Sequence, residues 1–194
     1  ETPFQIALVV VIVLTMAVTV YHRLQAAKSG ETISHQEEGY LFATVLRLSG
    51  LVLWISTFGY LIFPAYFQWA AMPLPTWLRW TGVMTGALCS LLMFWTLSSL
   101  GKNLTDTVVT RAEATLVTQG PYRWVRHPFY LAFAIAVIAN TLVTANAFLA
   151  LTGTAAFLVI VGRTSIEERK LVERFGPAYL DYMRRTGRFL PRIR

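Results

Sequence analysis

The sequence predicts an all-α integral membrane protein with five transmembrane helices plus cytoplasmic amphipathic helices, and three observations predict it. Hydrophobic residues make up 55% of the 194-residue chain and charged residues only 14%, where a soluble domain carries about 25% charged. The charges are also segregated. Nothing is charged between Glu1 and Arg23, and 48–78, 80–101 and 128–162 are uncharged runs. Third, five spans place 15 of the 17 Lys+Arg in segments on one face, with Arg47 at the same end of its span and Arg79 alone opposite. That is the positive-inside pattern, with the N-terminus outside and the C-terminus in the cytoplasm. Disorder is excluded, because it needs low hydrophobicity. A disulfide scaffold is excluded as well, since Cys89 is the single cysteine and lies in an apolar run.

The elements follow in order within a single integral-membrane domain, 1–194. A span needs roughly 20 apolar residues to cross about 30 Å of hydrocarbon. The first covers about 4–21; it lacks a basic flank and is too long for a signal peptide, so it reads as a retained helix. Residues 22–39 form a mixed-charge connector, partly helical along the surface. The second span covers 40–63 and ends where Pro64, Pro73 and Pro75 break the helix. Tyr66, Trp69 and Trp77 mark the following loop as interfacial. The third span covers 80–99. The fourth uncharged run is too long for one helix and divides at Thr144-Ala145-Asn146-Ala147 into spans of 128–143 and 147–163. A sequence pI near 9.9 would suggest nucleic acid in a soluble protein. Sorted by span, the excess records topology instead, and neither a nucleic-acid nor an obligate protein partner is expected.

Nearly all the polar chemistry lies in two segments flanking the last hairpin, 100–128 and 163–194. Gly120-Pro121 signals a turn, and Pro128 suits the first position of a helix. Arg126 and His127 then stand beside a helix N-terminus, where free N–H groups and the dipole favour a carboxylate or phosphate. A basic anchor for lipid headgroups is the alternative. Arg163 and Glu167 are four apart and can pair on a helix. Glu167 and Glu168 point in different directions, so one can face a ligand while the other pairs with a cation; solvated charges at a helix exit are the alternative. Leu171, Phe175, Tyr179 and Tyr182 form an apolar stripe broken by Gly176-Pro177, which ends one helix and starts the next. The tail arginines Arg184, Arg185, Arg188, Arg192 and Arg194 read as attraction to anionic lipid. Asn140 is a polar residue inside a span, read either as a helix–helix hydrogen bond or as a ligand contact. No His/Cys cluster has zinc spacing, and no Gly-rich phosphate loop follows a strand.

Gly120-Pro121-Tyr122, Arg126-His127-Pro128 with Tyr130, Asn140, Glu167-Glu168, and Phe175-Gly176 with Tyr179 and Tyr182 together resemble the isoprenylcysteine carboxyl methyltransferase family, whose wider group includes phospholipid methyltransferases. The resemblance covers about 101–194, and the short five-span form looks closest to prokaryotic, archaeal-type members. It implies an S-adenosylmethionine-dependent methyltransferase, releasing S-adenosylhomocysteine, that acts on a lipid-embedded acceptor such as an isoprenylcysteine. The C-terminal half would bind the cofactor through Asn103, Leu104, Val117, Gly120, Tyr122, Trp124, Arg126, His127, Pro128, Tyr130, Glu167 and Glu168. Arg126, Arg163, Glu167 and Asn140 would serve transfer. No metal is implied.

The first alternative is a phospholipid or other lipid N-methyltransferase, with Glu167 or Glu168 as base. An NADPH-dependent membrane sterol-type reductase shares a similar C-terminal half, but the chain lacks a Tyr-Cys ending near Tyr182. A non-enzymatic transporter or scaffold would fit the span count. A transporter, however, should place ionisable groups near the bilayer centre, where these spans have none.

Overall fold

The computed structural model describes residues 1–27, 40–101 and 115–192. Most of the expected surface connector, together with Asn103 and Leu104, lies outside the described residues. Five long helices arise from the four uncharged runs, the last run supplying two: α1 (Thr2–Ala27), α2 (Tyr40–Ile62), α3 (Thr76–Leu100), α4 (Pro128–Thr144) and α5 (Ala147–Phe175). A short sixth, α6 (Pro177–Arg185), lies beyond them. Four of the five are long and apolar enough to cross a membrane by length and composition; α4, with 17 residues, is the shorter apolar helix. The chain is a multi-pass, all-α membrane protein.

α3 packs most extensively on α4, and α1 packs on both of them. α2 and α4 both pack on α5. Hydrocarbon offers helices no hydrophobic drive to associate, so close approach and dispersion hold them together. Gly82 shows this: a Cβ there would stand 2.7 Å from Leu142 Cβ and 3.0 Å from the Val143 backbone nitrogen. One turn on, a side chain at Gly86 would meet Val11 of α1 at 2.9 Å. Cys89, Met93, Leu97 and Ala132 form the core between α3 and α4. Ile6, Val13, Leu88 and Leu91, all more than half exposed, lie on the outer faces where lipid would surround them.

The bundle has an aromatic end and a basic end. At the aromatic end a 3-10 helix, Pro64–Ala70, carries Tyr66 and Trp69 outward, and Trp77 is exposed at the start of α3. The hairpin between α4 and α5 turns here as expected. Ala145 adopts a left-handed φ of 48°, and Asn146 caps α5 by accepting from the Phe148 and Leu149 N–H groups at 3.1 and 3.2 Å. Its amide also donates to the Phe67 carbonyl at 2.8 Å, tying the hairpin to the 3-10 helix.

Arg79 corrects the sequence reading. The sequence puts it just before a third span of 80–99, yet α3 begins at Thr76, after Pro75, and Arg79 is buried inside it. Its guanidinium donates twice to the Val143 carbonyl, at 3.0 and 2.9 Å, and pairs with the Glu1 carboxylate at 2.9 Å. It also lies 3.8 Å from the centroid of the Phe4 ring. A carbonyl at the end of α4 has no partner within its own helix, so the arginine satisfies a buried acceptor and is itself neutralised.

Candidate functional site

The site forms at the basic end, where α5 outruns the bundle. Its 29 residues reach roughly 43 Å, about 13 Å more than the hydrocarbon core. Glu167 and Glu168 begin some 30 Å from the start of the helix, beyond the apolar stretch that ends at Gly162. Opposite them stands the start of α4. Gly120–Arg123 forms a 3-10 turn with Gly120 at φ 60°, and a Cβ there would meet Ser99 Oγ at 2.2 Å. The turn delivers Arg126 and His127 to the first residues of α4, with Pro128 at the first helical position.

The C-terminal tail then returns across this corner. Gly176 ends α5 with φ 53°, Pro177 starts α6, and the chain after α6 pairs with 124–127. Arg126 N–H donates to the Gly187 carbonyl at 2.9 Å and His127 N–H to the Arg188 carbonyl at 3.1 Å. Val125 and Gly187 form a parallel bridge. Tyr182 Oη donates to the Tyr122 carbonyl at 2.6 Å.

Glu168 is the hub. Its side chain is 7% exposed, and Oε1 accepts from Arg126 Nε at 2.8 Å and meets His127 Nε2 at 3.2 Å. Oε2 accepts from Arg188 Nε at 3.0 Å and from Arg188 Nη2. Burial by itself would raise the pKa of this carboxyl. The hydrogen bonds from His127, Arg188 and Arg126 outweigh it and hold the group well below the usual carboxylate range. Arg126 is equally engaged, since Nη1 donates to the Met183 and Thr186 carbonyls at 3.2 and 2.5 Å. The Arg126 and His127 donors expected to wait for an anion at this helix start are therefore occupied by Glu168 of α5 and by the protein's own tail.

Glu167 is differently placed. Its side chain is 30% exposed, and Oε2 accepts from Tyr130 Oη at 2.6 Å and lies 3.8 Å from His127 Nδ1. Tyr130 stacks on His127, with centroids 5.3 Å apart and planes 6° from parallel. Arg163 is one turn before Glu167 on the same face of α5. Tyr122 is buried, and burial raises its pKa, so the phenol stays neutral. Trp124 is 39% exposed, edge-on to Trp95 at 5.5 Å, with Arg123 3.8 Å over its ring. Val117 is half-buried on the approach to the turn. Asn140 is not brought to the cluster: thirteen residues along α4 from His127, it stands about 20 Å away. It lines a groove instead.

That groove, about 440 Å³, runs between α1, α2, α3 and α4 from Leu8 to Arg23 along α1. Its walls are mostly apolar, with Met93, Phe129 and Phe133 among them.

Two residues at the site were not singled out from sequence as site residues. Arg188 was grouped with the lipid-facing tail arginines, but it turns inward onto Glu168. The Gly187 before it is the readable signal: a Cβ there would stand 1.7 Å from the Leu190 carbonyl oxygen. Tyr179 was read as packing. It is 1% exposed, and its hydroxyl has no hydrogen-bond partner among the described residues.

Helices with lipid-facing outer surfaces, a lipid-side groove and a polar cluster closed by the tail at one end define a membrane protein of enzyme-like construction. Comparison places the chain more narrowly: the model of the isoprenylcysteine carboxyl methyltransferase family matches residues 80–173, and the resemblance read in the sequence holds there. The protein-S-isoprenylcysteine O-methyltransferase of Mus musculus is 30% identical over 129 residues, 65% of this chain and 46% of that protein. Methanethiol S-methyltransferase 2 of Bradyrhizobium diazoefficiens is 28% identical over 167 residues, 78% of this chain and 60% of that protein. The structure of a eukaryotic intramembrane Ras methyltransferase of the same family superposes with a TM-score of 0.56 at 22% identity, over 91% of this chain and 64% of that one. The fold is thus shared, and the chain spans about half the length of the curated relatives it matches.

Proposed function

We propose that this chain is an integral membrane methyltransferase that uses S-adenosylmethionine and acts on a lipophilic acceptor, most nearly by carboxyl methylation of an isoprenylcysteine-like substrate. The observation that carries this reading is the Arg126–His127–Glu167–Glu168 cluster, which lies beside a groove accessible from lipid. His127, Glu167 and Glu168 fall inside the stretch matched by the family, as does Arg126. In this reading the chain is one membrane unit, with cofactor-binding part 101–194. Its N-terminus is outside, and the C-terminus and cofactor site are cytoplasmic.

The residues suit such a cofactor on two counts. Glu167 is partly exposed with one carboxylate oxygen committed to Tyr130, and the buried Tyr179 hydroxyl near the cluster has no hydrogen-bond partner among the described residues. Bound there, S-adenosylmethionine would supply a methyl group on a sulfonium and leave as S-adenosylhomocysteine. Glu167, steered by Tyr130 and His127, is suited to a cation or to ribose hydroxyls. Tyr122 and Trp124 offer aromatic surface, and Val117, Gly120 and Pro128 offer backbone; Asn103 and Leu104 are carried by the resemblance alone. Arg126 and Glu168 act as positioning residues, because their polar groups are committed to the tail. A carboxylate acceptor is already a nucleophile, so transfer needs alignment and exclusion of water more than a base. Arg163, one turn before Glu167 on α5, would align it.

A small thiol acceptor, suggested by the name of the Bradyrhizobium relative, is a second reading. The size and apolar walls of the groove favour the lipophilic one. The test is purified protein in lipid nanodiscs with methyl-labelled S-adenosylmethionine and, in parallel, an S-isoprenyl cysteine, an aminophospholipid and methanethiol. Base-labile label on the S-isoprenyl cysteine is the expected result. Stable label on the aminophospholipid, or label on methanethiol alone, would replace the carboxyl assignment; neither transfer nor cofactor binding would end the methyltransferase reading.

A further inference from the structure

The tail has an outer face that the candidate site does not use. Phe189 turns inward, its ring centroid 5.9 Å from that of His127, whereas the next residue, Leu190, is 71% exposed. Arg188 also turns inward, but Arg184, Arg185 and Arg192 stay exposed. Arg192 Nη1 donates to the Arg184 carbonyl at 2.5 Å, which ties the tail to the last turn of α6. Asp181 pairs with Arg184 at 3.1 Å, and an ion pair exposed on both sides contributes little in water. With exposed Arg123, four positive charges stand against Asp181, a local net of +3.

Trp124 fixes the level of this face. Its ring meets that of Trp95 edge-on at 5.5 Å, and Trp95 lies five residues, roughly 7 Å, inside the end of α3 at Leu100. Both indoles are exposed, and the Arg123 guanidinium lies 3.8 Å over the Trp124 ring. Exposed tryptophans beside the last turns of an apolar helix, with a cation over one of them, mark the headgroup level of a bilayer. The tail is fastened at the same level. Gly187 N–H donates to the Trp124 carbonyl at 3.3 Å, and the following turn brings the Leu190 carbonyl against Gly187. The end of α6 is held at this corner too, since Arg126 Nη1 reaches the Met183 and Thr186 carbonyls. Leu190 is thus exposed beside the tryptophans and among arginines.

We propose that Trp124, Leu190, Arg123, Arg184, Arg185 and Arg192 form a docking face for an anionic lipid leaflet, and that the leaflet holds the tail closed over the start of α4. Leucine and tryptophan enter the boundary while the guanidiniums stay among phosphate headgroups. The coupling is carried by one short stretch of chain. It sends Leu190 and Arg192 outward, and Arg188 and Phe189 inward onto Glu168 and His127. Negative charge on the leaflet therefore favours the closed tail. This goes beyond the methyltransferase reading and does not depend on it.

The experiment is hydrogen exchange by mass spectrometry on the full chain in nanodiscs, without methyl donor or acceptor. The discs contain phosphatidylcholine alone or phosphatidylcholine mixed with phosphatidylglycerol. Exchange across 186–190 should be at least about tenfold slower in the anionic discs at low salt. High salt should remove the difference. Replacing the three arginines together, by Arg184→Gln, Arg185→Gln and Arg192→Gln, should abolish it without changing Tm in phosphatidylcholine. Leu190→Ser should weaken it severalfold. Equal exchange in the two lipids, a difference that survives high salt or the triple replacement, or insensitivity to Leu190→Ser would each overturn the proposal. Equal slowing by soluble glycerol phosphate in phosphatidylcholine discs would also overturn it, by revealing a site for a free anion. If the triple replacement lowers Tm, the salt series on the unaltered protein still decides. Methyl transfer enters none of these readouts, so its absence would defeat the proposed function and leave this inference standing.

Discussion

Arg188 and Glu168, twenty residues apart, meet through Arg188 Nε at 3.0 Å, and this contact closes the C-terminal tail over the start of α4. The same carboxylate holds Arg126, whose guanidinium in turn binds the carbonyls of Met183 and Thr186. One buried anion thus joins α4, α5 and the tail. Arg188 responds to it, its pKa raised chiefly by the hydrogen bond to Glu168.

Glu168→Gln should be strongly destabilising, because it leaves the buried Arg126 without its counter-charge. Breaking a buried pair on one side costs about 3–5 kcal/mol. Thermal unfolding in detergent should show a Tm drop of roughly 6 °C or more, with cofactor binding lost in parallel. An unchanged Tm would mean that the cluster does not hold the tail.

Acid should act through the same group. The folded-state pKa of Glu168 lies below its ordinary value of 4.5, so its contribution is fully present above about pH 4.5 and is lost as pH falls further. Tm in wild-type protein should therefore decline below that pH more steeply than in Glu168→Gln. Parallel curves for the two proteins would refute the assignment.

Glu167→Gln should separate binding from folding. Its partly exposed side chain has Tyr130 as its hydrogen-bond partner, so Tm should move by no more than about 2 °C. S-adenosylmethionine affinity, measured by calorimetry, should fall at least about tenfold if a charge-assisted contact is lost. Tyr130→Phe should have a smaller effect in the same direction.

Gly187→Ala tests the tail by sterics alone. The new Cβ would collide with the Leu190 carbonyl, and backbone cannot yield as a flexible side chain can. We expect the Val125–Gly187 pairing to break and limited proteolysis to remove the tail. A protease-resistant tail would show that the turn accommodates a side chain.

At the other end, Asn146→Ala should cost about 1–2 kcal/mol by removing the cap of α5. The bond to the Phe67 carbonyl is lost as well. Cofactor affinity should not change, because the site lies at the opposite end of the bundle; equilibrium binding on the folded fraction would check this.

The helices were legible because burial in hydrocarbon imposes a local rule: every span must be apolar and long enough to satisfy its own backbone. That rule places α2, α3 and α4 within four residues and sets the hairpin at Ala145-Asn146, whereas α1 and α5 continue six and twelve residues past the expected ends of their spans. Arg79 escaped it, because its charge is cancelled by Glu1 and its donors by the Val143 carbonyl, groups distant in sequence. The candidate site was legible as a set of residue types near one face, but their division of labour was not. Adjacent glutamates in sequence give no sign that Glu168 is enclosed by two arginines and a histidine while Glu167 is partly exposed and bonded to Tyr130.

Low charge content and segregated basic residues were enough to determine an all-α, multi-pass chain with its polar chemistry gathered beside the last hairpin. Tertiary structure alone decided that the tail folds back, that Arg188 points inward, and that Asn140 lies beside a lipid-side groove rather than the cluster. The reason is range: spans obey the solvent along a continuous stretch of chain, whereas ion pairs and grooves depend on which separate helices are brought together.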